Sequence, residues 1–273
     1  MAPGSARDAA HRVSRLAHGN RALQIAARAG SAVNGVLHGI IGVIAIGIAI
    51  GAGDHEADQS GALNALSDTP GGTIGLWLIV VGLGALGLWQ IIEGVLVPAP
   101  DPARKWAKRA ADFGKAVVYL AVAISALSFA VGQSASSSET SKDLSATLLG
   151  VAGGVYVLVA VGLAVFAVGA FFCFRGASRG FTRDIAIPTG NSAVLVIVLG
   201  MVGYISKGIL LCVVGVLFVV AALTFDPDHA RGLDSALKSL FALPFGAVIL
   251  AAAGVGLIAY GLYCIARGKL ARL

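Results

Sequence analysis

Six stretches of this chain leave little room for a water-soluble fold. Residues 33–52, 73–97, 113–133, 148–174, 203–225 and 244–266 are almost wholly apolar. A bilayer core of about 30 Å is crossed by about 20 helical residues at a rise of about 1.5 Å each. Each stretch meets that length. Charged residues make up only 12% of the chain, roughly half of what a soluble domain carries. The expected fold is therefore an all-α polytopic membrane protein with six transmembrane helices. The net charge of +6 does not point to nucleic acid, because the basic residues lie between the apolar stretches rather than on a soluble face.

Charge also orients the spans. The loops 53–72, 134–147 and 226–243 hold Lys142, Arg231 and Lys238 as their only basic residues, so 17 of the 20 Lys and Arg lie on the other side. Nine of the 14 acidic residues share the loop side with those three. The positive-inside rule then places both termini in the cytoplasm of a cell whose inner or plasma membrane holds the protein. The first apolar run follows a long basic segment and is too long for a signal h-region, so it reads as a retained span. Neither end carries a lipidation motif.

Lys207 interrupts the fifth run, MVGYISKGILLCVVGVLF. Two spans split at Lys207 would put Arg267, Lys269 and Arg272 outside. One span beginning near Gly203 keeps them inside. The apolar segment 193–200 is then expected to lie along, or slightly into, the inner leaflet.

The chain also repeats itself. GSAVNGVLHGIIGVIAI from Gly30, ADFGKAVVYLAVAISAL from Ala111 and GYISKGILLCVVGVLFV from Gly203 align without gaps. They place Asn34, Lys115 and Lys207 at one position, and His38, Tyr119 and Leu211 at another. Residues 71–94, 153–176 and 245–268 align as well, superposing Gly87, Gly169 and Gly261, then Trp89, Phe171 and Tyr263, then Glu93, Arg175 and Arg267. The reading is three in–out–in hairpins (30–97, 111–176 and 203–268), with a pseudo-threefold bundle as the simplest arrangement and a linear row as the alternative. Around them lie a basic arm (1–29), a basic loop (98–110), a loop with the interfacial segment (177–202) and a tail (269–273).

This pattern resembles a bacterial membrane family known as domain of unknown function number 1206, a two-helix unit that occurs three times. The features that carry the resemblance are the starts GSAVNG and GYISKG and the ends in which a glycine, an aromatic, a charged residue and a second glycine recur. The second repeat departs with Ala111 and Ala116 where the others have glycine. The first departs with Asn34 and Glu93 where the others are basic. The resemblance implies the fold and brings no activity or site with it.

Lys207 reads first as an anchor at the inner interface, snorkelling to headgroups. The sharper reading is a cytoplasmic mouth or headgroup-binding ring of Asn34, Glu93, Lys115, Arg175, Lys207 and Arg267, with a summed charge of +3. Such a ring would hold an anionic lipid headgroup or steer small anions. Glu93 is also a candidate to pair with Lys115 or Lys207. His38, one turn deeper than Asn34, reads as a hydrogen-bonding group between helices before it reads as a proton relay.

DHEAD (54–58) and DPDH (226–229) read as solvated acidic loops, with divalent metal as the sharper alternative. The pairs Gly35–Gly39, Gly47–Gly51, Gly71–Gly75 and Gly150–Gly154 read as close helix contacts. Cys173, Cys212 and Cys264 read as inert thiols. The basic arm reads as an interfacial helix on an anionic leaflet.

No hydrolase, P-loop or metalloprotease signature is present. The expectation is a non-enzymatic protein without cofactor or metal. Its expected role is that of a scaffold, interaction protein or accessory subunit touching the bilayer and anionic lipid headgroups, with a homo-oligomer or another membrane protein as further partner. A channel or carrier for a small ion or solute is the alternative.

Overall fold

The computed structural model describes residues 21–52, 56–96, 102–133, 136–187 and 190–270. Among them the chain is helical: α1 (Arg21–Ala49), α2 (Gln59–Ser67), α3 (Gly72–Leu96), α4 (Pro102–Ala130), α5 (Ser137–Leu149), α6 (Gly154–Ala177), α7 (Asn191–Thr224), α8 (Leu233–Phe241) and α9 (Gly246–Leu270), with short 3₁₀ turns at Gly180–Asp184 and Pro227–Ala230. Six of these, α1, α3, α4, α6, α7 and α9, are long and apolar enough to span. The chain is a multi-pass membrane protein built from three hairpins, and each hairpin carries a short helix (α2, α5 or α8) at its tip. Residues 1–20 of the basic arm, Asp54, His55 and Arg272 lie outside the described residues; the remainder of the arm opens α1.

The tightest packing is between hairpins, not within them. The second helix of each repeat lies against the first helix of the next: α3 on α4, α6 on α7, and α9 back on α1. Small residues allow it at the same repeat position each time. A Cβ on Gly35 of α1 would stand 2.5 Å from the Gly261 carbonyl oxygen of α9, and one on Gly169 of α6 would stand 2.7 Å from that of Gly208 on α7. Gly87 of α3 meets Ala116 and Leu120 of α4. One repeat of seven further along, Gly42 faces Gly254 and Gly215 faces Gly162. The contacts recur every seven residues, the period of a left-handed helix pair. Of the four-residue glycine pairs, only Gly35 points its α-carbon into such a seam; a Cβ on Gly39 or Gly47 would meet open space, although the Gly39 amide lines the α9–α1 seam.

Within hairpins the packing is unequal. Gly30 seats α1 on Gly82 of α3, and the equivalent Gly203 and Gly256 seat α7 on α9 against Tyr260 and Ser206. The second repeat has Ala111 and Ala164 at those positions, and α4 and α6 are not packed together. The spans therefore form the series α4–α3–α1–α9–α7–α6, curled into a ring that stays open between its two ends.

The start of each second span repeats another device. Gly71, Gly153 and Phe245 all have positive φ (82°, 84° and 62°). The next residue, Gly72, Gly154 or Gly246, has its α-hydrogen against the carbonyl of the preceding short helix, where any Cβ would collide. Glycine suits the left-handed turn, so Phe245 holds it at some strain.

α7 differs from its expected form. Residues 193–200 are not a separate interfacial segment but the first turns of one continuous helix. No proline or turn residue breaks it, and Gly200 is seated on the Phe181 ring. At about 1.5 Å per residue, its 34 residues reach about 51 Å, well beyond the hydrocarbon thickness.

The hairpin tips interlock into a cap. Asp58 caps α2 by accepting from the Gly61 N–H (3.0 Å), and it also accepts from Ser60 Oγ (2.6 Å) and from Ser138 Oγ of α5 (2.9 Å). Asp234 of α8 accepts from the Ala57 N–H (3.1 Å) and pairs with Lys238. Both carboxylates are buried, and each takes one partner from another repeat; for Asp58 this departs from the reading of 54–58 as a solvated acidic loop.

On the cap surface Asp228 takes Lys142 and Arg231 (2.7 Å each), and Arg231 also reaches Glu139 (2.6 Å). These cations hold the Asp228 carboxyl down to about 2. A depressed carboxyl contributes stability above its unfolded value, near 4, and that contribution is lost as pH falls through the folded value. The thermal-stability difference between wild type and Asp228→Asn should thus be constant above about pH 5 and vanish by about pH 2. A difference unchanged across that window would remove the clasp.

Candidate functional site

The end of the bundle that carries both termini holds a group of polar residues inside the ring. Lys207 is the centre. Its Nζ donates to His38 Nε2 of α1 at 3.0 Å and sits 4.3 Å from the Tyr260 ring centroid of α9 and 5.5 Å from that of Phe172 on α6. His38 Nδ1 lies 2.8 Å from the Asn34 carbonyl oxygen. For Nε2 to accept from an ammonium, the ring proton sits on Nδ1, which donates to that carbonyl. The Tyr260 ring packs edge-on to His38. A desolvated cation over an aromatic face gains about 2 kcal/mol, so the lysine is held by aromatic faces and one imidazole rather than by a carboxylate.

Arg267 of α9 is the second cation. It lies within electrostatic reach of Lys207 and of Tyr119, Tyr204, Tyr260 and Cys264. Among the described residues no carboxylate lies within ion-pair distance of Lys207 or Arg267. Asn34 turns its amide toward Cys264 Sγ (3.8 Å). Arg175 of α6 stands over the Phe171 and Tyr204 rings, at 5.9 and 6.0 Å. Below this group an aromatic stack closes the floor. Tyr204 lies between Phe172 and Phe181, stacked on both, and Tyr263 meets Phe181 and Tyr204 edge-on. Phe181 comes from the 3₁₀ turn after α6 and is fully buried.

The six residues of the expected ring divide into two places. Asn34, Arg175, Lys207 and Arg267 gather around Tyr204, Tyr260 and Cys264. Glu93 and Lys115 sit on the α3–α4 pair instead. There Glu93 meets Lys108 (3.4 Å), and the exposed Lys115 bonds the buried Asp112 (2.9 Å). Lys115 and Lys207 share a repeat position but not an environment. Lys207 faces α9 and α1 across the closed seams, whereas α4 borders the opening.

Sequence reasoning missed the aromatic surround and the His38–Lys207 contact, which joins residues 169 apart in the chain. A signal was available: of the five tyrosines, Tyr119 and Tyr204 fall near the start of a repeat and Tyr260 and Tyr263 near the end of one, and an in–out–in hairpin brings its start and its end to the same side. The cysteines are free; Cys264 is buried, and the others lie along the α6–α7 seam. No group of three metal-ligating side chains occurs among the described residues.

Comparison with known proteins agrees with the repeat. The family described as Domain of Unknown Function (DUF1206) matches this chain three times, over residues 29–96, 112–179 and 202–271. The chain is 32% identical over 235 residues to the uncharacterized protein YxxB of Bacillus subtilis (strain 168), covering 84% of each chain. No solved structure matches it. The three matches fall on the three hairpins whose seams share one glycine register, and the chain belongs to the DUF1206 family, with its two-helix unit present in triplicate.

Proposed function

We propose that this protein is a non-catalytic membrane protein that holds an anionic group, a phosphate or a carboxylate, at Lys207 and Arg267. The terminal side is the cytoplasmic one in this reading, and the membrane is the cell membrane, as the loop charges suggest. One observation carries the proposal. Two cations lie within electrostatic reach of each other inside the bundle, and among the described residues neither has a carboxylate within ion-pair distance. Charge of that kind within a membrane protein is costly unless paired, and a bound anion would pair it. Both nitrogens of His38 are engaged, so this imidazole is not poised as a free base, which favours binding over catalysis.

The same cations also suit the mouth of a conduction path. Between them and the cap, however, Leu37, Ile41, Ala45, Leu210 and Leu257 are buried together. An apolar plug of this kind favours holding an anion over passing it.

The test is native mass spectrometry of the purified protein with dioleoyl phosphatidic acid and, for comparison, phosphatidylcholine. The Lys207→Gln/Arg267→Gln pair should weaken phosphatidic acid binding by at least tenfold and leave phosphatidylcholine unchanged. Equal binding by wild type and variant would overturn the site. Anion flux into reconstituted liposomes, lost in the variant, would replace holding by transport.

A further inference from the structure

The opening in the ring lies beside the two cations. α4 and α6 border it, and each sends one residue to the site. Tyr119 of α4 reaches the neighbourhood of Arg267 and Cys264, and Phe172 of α6 covers Lys207. The two helices are also the least enclosed of the six spans. Only 17% of each is buried, against 33–50% for the others. Val117, Val118, Ile124 and Leu127 on α4 and Val157, Val161 and Phe166 on α6 present apolar surface. At the far end α5 packs on α6 and on the tips of the other hairpins, so the gap is a slot that ends at the cap. Such a slot is apolar along its length and basic at one end, the charge pattern of a lipid with an acidic headgroup.

We propose that the slot between α4 and α6 is a lateral entry for an anionic lipid, whose acyl chain lies along the two helices while its headgroup reaches Lys207 and Arg267. This inference rests on the anion site proposed above and adds the ligand's class and its route. The slot lies where the second repeat departs from the others. The glycines that draw α1 onto α3 and α7 onto α9 are Ala111 and Ala164 here. A second copy of the chain is the competing occupant, but a second apolar helix face would leave the two cations unpaired.

The test uses the full chain in phosphatidylcholine nanodiscs with phosphatidic acid bearing a photoactivatable group near the end of one acyl chain. Peptide mapping after irradiation should place most of the label on 117–127 and 157–166, and Lys207→Gln/Arg267→Gln should reduce that label at least fivefold. Soluble glycerol 3-phosphate should compete at least a hundredfold less well than unlabelled phosphatidic acid. Charge-dependent label on other spans, or equal competition by glycerol 3-phosphate, would overturn the slot while leaving the anion site standing. Label independent of Lys207 and Arg267 would overturn both. Cross-links between two copies through α4 or α6 would assign the slot to dimerisation instead.

Discussion

Gly261→Leu is expected to abolish the folded monomer. Gly261 lies at the α9–α1 seam, where an added Cβ would collide with the Gly35 carbonyl oxygen and crowd the Gly39 amide nitrogen. Those are backbone atoms of a helix and cannot rotate aside. A leucine there must push α9 off α1, which undoes the contact that closes the chain's two ends together. Overpacking a tight core costs about 1–3 kcal/mol and occasionally more, and a seam of two backbones lies at the upper end of that range. Detergent-solubilised Gly261→Leu should elute as aggregate or unfold at a much lower temperature. Gly39→Ala is the matched control, since its Cβ would meet nothing within 4 Å, and it should behave as wild type. A Gly261→Leu protein that unfolds with the control would remove the seam from the account of stability.

Phe181→Ala is the second large effect. Phe181 stacks on Tyr204 at 5.2 Å and 9°, meets Tyr263 edge-on and fills the space that a side chain on Gly200 would need. It is fully buried although it sits in a connection between spans. Truncating a buried phenylalanine costs about 3–5 kcal/mol. The loss falls on the connection from α6 to α7, so limited proteolysis between Ser178 and Gly190 should accelerate at least tenfold while the cap remains resistant. Phe171→Ala, at an exposed aromatic (54%) on the same helix end, should change proteolysis little. Equal proteolysis in the two variants would detach Phe181 from the floor of the site. Loss of phosphatidic acid binding alongside the cleavage would tie that floor to the anion site.

Much of the fold was legible from the residues. Helices that cross a bilayer must satisfy their own backbone and expose apolar side chains, so span number and hairpin repetition follow from hydropathy and self-alignment. The repeat position of Gly87, Gly169 and Gly261 was also legible, but its meaning was not. Glycines four apart draw attention as packing motifs, whereas the seams use glycines seven apart on helices from different repeats. Lys207 shows the same limit. Alignment equates it with Lys115, and an end-of-span lysine favours the headgroups. Which way a side chain turns depends on the helix beside it, and α7 has neighbours on both sides while α4 has one.

The sequence by itself determined the class, the six spans, the triplication and the places where the second repeat departs from the others. Local chemistry decides those: apolar length, glycine and proline, and the recurrence of each along the chain. Tertiary structure alone decided that α9 closes on α1, that Lys207 meets His38 and Tyr260, that Asp58 and Asp234 are buried in the cap, and that the ring stays open between α4 and α6. Each of those contacts joins residues far apart in the chain, where periodicity has no reach. At the open side the second repeat carries Ala111 and Ala164 where the two closed pairs have glycine.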